Sequence, residues 1–149
     1  MSSDQDLGPK LSERLAYLLK RALLELDGLH DENLAPYGIS ARELAVLLLL
    51  DAREPESQQQ AGKRLGVDRT TMVALIDALE SKELVVRRPD PEDRRRNVIA
   101  LTDSGRKTLR QATRASDQAE QRLLAELDEA ESAQLRSLLR RIAIPRRDR

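Results

Sequence analysis

Between Leu84 and Thr102 the chain reads LVVRRPDPEDRRRNVIALT. Two short β-branched runs, 84–86 and 98–102, bracket eleven residues that hold five arginines, three acids and two prolines. Such runs read as strands, and two of them joined by one charged segment pair most simply as a hairpin, here over 84–102. A solvated charged turn is the competing reading. Pro89 and Pro91 argue for a shaped loop, because each fixes φ and removes a backbone donor. The rest of the sequence has helical spacing, so the hairpin has to be carried on a helical body.

That body can be followed along the chain. Leu11, Leu15, Leu18, Leu19, Ala22, Leu26 and Leu29 recur at helical intervals, with Leu23 and Leu24 widening the stripe. HDENLAPYG breaks this helix at Pro36 and Gly38. Ser40 followed by Glu43 is a capping-box pattern for a helix over 41–52, nearly all apolar from Leu44 to Leu50 and read as buried. QQQAGKRL gives a short helix over 57–65, Gly66 a turn, and Asp68 the cap of a stronger helix reaching Lys82. In that helix Met72, Leu75, Ile76 and Leu79 form the buried stripe, while Arg69, Thr70, Val73, Ala74 and Asp77 face outward. After the hairpin, TDSG opens a helix over 103–126. Asp128 with Glu131 caps a last one, whose stripe is Leu135, Leu138, Leu139 and Ile142 and whose stop is Pro145. The expected fold is mainly α with a small β-hairpin wing, in a single domain over 1–149.

Composition narrows the chemistry. The absence of cysteine excludes disulfides, thiolate metal sites and thiol redox sensing. A single histidine, His30, and no Gly-rich phosphate loop leave little for an enzyme, a metal or a cofactor, and none of the three is expected. The polar, acidic start is unlike a signal peptide, and the longest apolar run, 44–50, is far too short to cross a bilayer. A cytoplasmic protein with no membrane partner is expected. Net charge is zero, with 26 basic and 26 acidic residues, but it is unevenly spread. Residues 1–61 hold 6 basic and 11 acidic side chains (−5), 62–110 hold 12 and 8 (+4), and 111–149 hold 8 and 7 (+1). A polyanion responds to that local basic pole within a Debye length.

A short helix, a glycine turn and a second helix with a polar N-terminal face form the helix-turn-helix arrangement, and a hairpin directly behind it makes a winged helix. Double-stranded DNA is therefore the expected partner. Arg69, Thr70 and Thr71 start the recognition helix and suit phosphates and base edges, while Val73 suits a thymine methyl. Arg64 and Arg88 extend the expected DNA-binding set. At the hairpin tip Arg94, Arg95 and Arg96 suit a narrow, negative minor groove, and Asp93 is placed to hold one guanidinium by a bidentate pair. The terminal helices carry broader aliphatic stripes than one small domain covers, which points to a dimer.

The stretch from Leu65 to Arg106 resembles the signature region of MarR-family transcription regulators, with RPDPEDRR…LT…G as its most specific part. The helix order on both sides also fits, so the resemblance covers nearly the whole chain. It implies a winged helix-turn-helix with dimerisation helices over 11–30 and 103–144. The DNA-binding lobe is then 40–102, with the helix-turn-helix at 57–65 and 68–82 and the wing at 84–102. It further implies a homodimer bound to a near-palindromic operator, acting in most members as a repressor and in many releasing DNA when a small-molecule effector binds. By position, Asp93 and Arg95 match the family's D-x-R at the wing tip, making Arg95 the minor-groove residue and Asp93 its brace. Leu101, Thr102 and Gly105 match structural positions at the strand end and the start of the next helix. Tyr17, His30 and Tyr37 lie in or near the region that lines the family's ligand cleft, with a purely structural or surface role the competing reading for each. With no tryptophan, an aromatic-rich pocket cannot be assembled, so the effector is aliphatic or absent on this reading.

The chain also departs from the family pattern. Ala61–Gly62 stands where a Leu–Ala pair is usual, and Glu83 where a glycine is usual. Val73, Ala74 and Ala78 replace residues that are often polar or basic. That apolar face, with the zero net charge, keeps open a second reading: a helical dimer adaptor of the same fold that has lost specific DNA binding.

Overall fold

A computed structural model describes residues 7–52 and 54–144. Its elements in chain order are α1 (Gly8–Ser12), α2 (Leu15–Leu34), α3 (Ala41–Asp51), β1 (Glu56–Ser57), α4 (Gln58–Leu65), α5 (Arg69–Ser81), β2 (Val85–Pro89), β3 (Asn97–Leu101), α6 (Asp103–Leu123) and α7 (Glu129–Ala143). Side-chain caps fix most of the helix starts. Ser40, Ser57 and Asp128 each close a reciprocal capping box, with Glu43, Gln60 and Glu131 respectively, and Asp68 caps α5. Pro145, read as the stop of the last helix, lies outside the described residues.

Three features differ from the sequence expectation. The first helix is two: the chain breaks at Glu13–Arg14 although the apolar stripe continues across the break. Next, α2 runs on to Leu34 before a 3₁₀ turn over Ala35–Tyr37. Tertiary bonds anchor that extra turn, because Asn33 Nδ2 donates to the Ala115 carbonyl at 3.1 Å and Leu34 is buried. Lastly, the sheet has three strands rather than two, in the order β1-β3-β2 and antiparallel throughout. Two residues, Glu56 and Ser57, cover the outer edge of β3 opposite Ile99 and Val98.

The described residues form two compact units, one within 30–117 and the other from the terminal segments, 7–29 with 118–144. The central unit owns a continuous aliphatic core in which Leu34, Leu47, Met72, Ile76, Leu79 and Ile99 are almost fully buried. Here α3, the apolar faces of α4 and α5, the sheet and Leu109, Ala112 and Ala115 of α6 pack together. In the terminal unit Leu15, Leu18, Leu23, Leu24, Leu138 and Ile142 stand exposed on the single chain, Ile142 at 68%. Among the described residues no helix is long and apolar enough to cross a membrane.

Candidate nucleic-acid interface

The helix-turn-helix is built by local hydrogen bonds. Gly66 ends α4 in the left-handed region (φ 66°), a conformation open to glycine at little steric cost, and Val67 N–H returns to the Gly62 carbonyl at 3.0 Å. Asp68 then starts α5 by accepting the Thr71 amide and the Thr71 hydroxyl, each at 2.8 Å. These two bonds, the amide first, hold the Asp68 carboxyl below its ordinary range. Gly62 is buried where α4 meets α5: a Cβ there would lie 3.4 Å from Met72 Cγ and from the Val67 carbonyl oxygen. A glycine inside a helix costs roughly 1 kcal/mol relative to alanine. Here it gives Met72 its place in the core.

Of the residues expected at the start of the recognition helix, Arg69 and Thr70 are exposed and Val73 is half-buried. The Thr71 hydroxyl is engaged in the cap. A cleft of about 640 Å³ opens between α4, the start of α5 and the base of the wing, lined by Gln58, Gln59, Lys63, Arg69, Arg96 and Asn97 among others. Three cations thus line one cleft. Arg64 of α4 faces elsewhere, its Nε donating to both carboxylate oxygens of Glu56 at 2.9 and 3.0 Å.

The α5–β2 junction explains the unusual Glu83. Its φ is +62°, the left-handed value a Schellman ending requires, with Glu83 N–H on the Glu80 carbonyl and Leu84 N–H on the Leu79 carbonyl. Thr102 secures the turn from the other side. Its hydroxyl donates to the Glu83 carbonyl at 2.6 Å and accepts the Gly105 amide at 2.9 Å. Gly105 is required by close approach, because a Cβ there would overlap the Leu84 carbonyl oxygen. The wing is bolted at this point to the start of α6.

Beyond the junction β2 and β3 pair in register from Val85↔Leu101 to Pro89↔Asn97. The tip is ordered by its aspartates. Asp90 accepts the Glu92 amide at 2.9 Å and Asp93 accepts the Arg95 amide at 3.1 Å, while Asp90 N–H and Arg96 N–H close on the Arg96 and Asp93 carbonyls. Asp93 therefore braces Arg95 through its backbone, and the guanidinium nearest its carboxylate is that of Arg96, with Nε at 3.7 Å. Arg94 and Arg95 are exposed with no ion-pair partner among the described residues. Arg88 lines a second cleft, with Glu54, Glu56, Asp90 and Glu92.

Arg87 lies outside the set of site residues expected from the sequence. Its guanidinium donates to Glu80 and to Asp77 at 2.7 Å each and to Gln58 at 3.3 Å. The Asp77 bond is the first cause of a pKa above the ordinary arginine value. The alternation of β2 carried the signal, since Arg87 shares a face with buried Val85.

The candidate ligand residues are spread over both units. Tyr17 is half-buried on α2 in the terminal unit. His30 and Tyr37 belong to the central unit, where His30 Nε2 lies 2.9 Å from Ser116 Oγ and Tyr37 is partly exposed.

Residues 37–96 match the model of the MarR family. The chain is similar to the transcriptional repressor CouR in a structure bound to a 23-mer DNA duplex, at 39% identity and a TM-score of 0.85, covering 91% of this chain and 96% of that one. It is also similar to CouR from Rhodococcus jostii RHA1 bound to p-coumaroyl-CoA, at 32% identity and a TM-score of 0.81, covering 95% and 100%. A MarR-family transcriptional regulator from Rhodococcus sp. RHA1 is 31% identical with a TM-score of 0.84, covering 93% and 100%.

Proposed function

The chain belongs to the MarR family of transcriptional regulators, and on that premise we propose that it is a cytoplasmic, homodimeric repressor that binds a near-palindromic operator. The observation that carries this reading is one compact unit presenting two cationic elements together. They are the exposed start of α5 with Arg69 and Thr70, and a wing tip ordered by Asp90 and Asp93 with Arg94 and Arg95 unpaired among the described residues. An α-helix fits the major groove and an arginine-tipped ribbon the minor groove, which reconciles DNA binding with a net charge of zero. Dimerisation accounts for the leucines and isoleucines left exposed in the terminal unit, and a two-fold axis sets half-sites about one helical turn apart.

Against the sequence expectation of an aliphatic effector or none, the likeness to a repressor solved with p-coumaroyl-CoA makes that aromatic thioester the first effector to test, with Tyr17, His30 and Tyr37 as the residues to vary. Fluorescence anisotropy with the duplex upstream of the protein's own gene tests DNA binding. A steep negative dependence of affinity on salt is expected, with release of the duplex on adding the effector. Binding that is absent or insensitive to salt would favour the adaptor reading.

A further inference from the structure

Two carboxylates sit on the recognition helix where a polyanion would meet them. Asp77 lies seven residues after Thr70 and four and three after Val73 and Ala74, so it shares their outward face, and Glu80 continues the line. Both side chains are substantially exposed, at 59% and 42%. A helix seated in a groove would bring these charges close to phosphates, an arrangement that repels at any salt concentration where phosphate contacts themselves matter. The wing supplies the remedy from inside the same unit. One guanidinium from β2 donates to both carboxylates at 2.7 Å and reaches the Gln58 amide oxygen of α4 at 3.3 Å.

We propose that Arg87 is a positioning residue for DNA binding that does not touch the nucleic acid: it neutralises Asp77 and Glu80 so that the full outward face of α5 can approach a polyanion. This rests on the DNA-binding reading above. It also separates the wing arginines by task, since Arg87 is turned to α5 while Arg94 and Arg95 remain available at the tip.

The test uses the full-length protein and two duplexes of equal length, one from upstream of its own gene and one of random sequence. Arg87→Gln is expected to weaken binding of both duplexes roughly tenfold at low salt, a loss that shrinks as salt screens the two uncovered carboxylates. Adding Asp77→Asn and Glu80→Gln to that variant should restore affinity to within about threefold of wild type. Asp77→Asn/Glu80→Gln with Arg87 intact covers the case in which the arginine variant fails to fold. It should bind the random duplex more tightly than wild type. A salt slope shallower by about 0.9 for each lost contact, with no rescue by the neutral pair, would show Arg87 to be a phosphate ligand and overturn the proposal. So would weaker binding by the neutral pair alone. Wild type that binds the random duplex but does not prefer the upstream one would overturn the repressor reading only. Wild type that binds neither overturns both.

Discussion

The hydroxyl of Thr102 donates to the carbonyl of Glu83 across 2.6 Å, tying the left-handed turn behind the recognition helix to the strand that ends the wing. Glu83 pays there for a Cβ that glycine lacks, of the order of 1 kcal/mol. Glu83→Gly is therefore expected to stabilise the protein by about 1 kcal/mol. Thr102→Val leaves the Glu83 carbonyl and the Gly105 amide without their partner and is expected to destabilise by about 1–2 kcal/mol. Urea unfolding of both variants checks the pair of signs.

Gly105→Ala should be more damaging than either. Its methyl would overlap backbone at Leu84, and backbone cannot swing aside as a side chain can. A loss of about 3 kcal/mol or more is expected, read as a lowered unfolding midpoint.

Much of this lobe is legible in the sequence because its determinants are local. Gly66, Asp68 and the Ser57–Gln60 box lie within a few residues of the backbone groups they satisfy. The β-branched runs around the charged loop likewise give the hairpin and its place. What the sequence hides depends on distant partners. The strand β1 is two residues without a pattern, defined only by the free edge of β3. The last turn of α2 is held by Asn33 on Ala115, 82 residues away. The tasks of the arginines are hidden for the same reason. Nothing in a run of basic residues says that Arg64 is engaged by Glu56 and Arg87 by Asp77 and Glu80, whereas Arg94 and Arg95 have no ion-pair partner among the described residues.

Those differences set a ranking for DNA binding. Arg95→Ala is expected to weaken operator affinity by about 1–3 kcal/mol, more than Thr70→Ala, because the recognition helix offers few hydrogen-bonding side chains beyond its first turn. Arg64→Ala should fall below Arg95→Ala, since its Nε is already committed to Glu56. Titrations at one fixed salt concentration give the order, and a larger loss for Thr70→Ala would shift the burden of recognition back to α5.

Acid should loosen the start of α5 specifically. The folded-state pKa of Asp68 is depressed by the Thr71 amide and hydroxyl. Its charge therefore contributes stability that is present above the ordinary carboxyl value of 3.8 and lost as pH falls through the lower folded value. The gap in melting temperature between wild type and Asp68→Ala should be widest near neutral pH and narrow below 3.8. A gap that stays constant through this range would assign the cap's effect to geometry without charge.

A charge placed among the exposed terminal apolar residues should split the dimer. Ile142→Glu and Leu138→Glu are expected to sediment as monomers at concentrations where wild type is dimeric, with the helical content of the central unit retained. Dimers of unchanged stability would move the interface elsewhere.

DNA recognition is read most directly from the ratio of affinities for the duplex upstream of the protein's own gene and for a random duplex at physiological salt. A ratio of about 10³ or more, lost on adding excess upstream duplex as competitor but not random duplex, is the predicted result. A ratio near one would contradict it and leave a winged-helix dimer that does not read sequence.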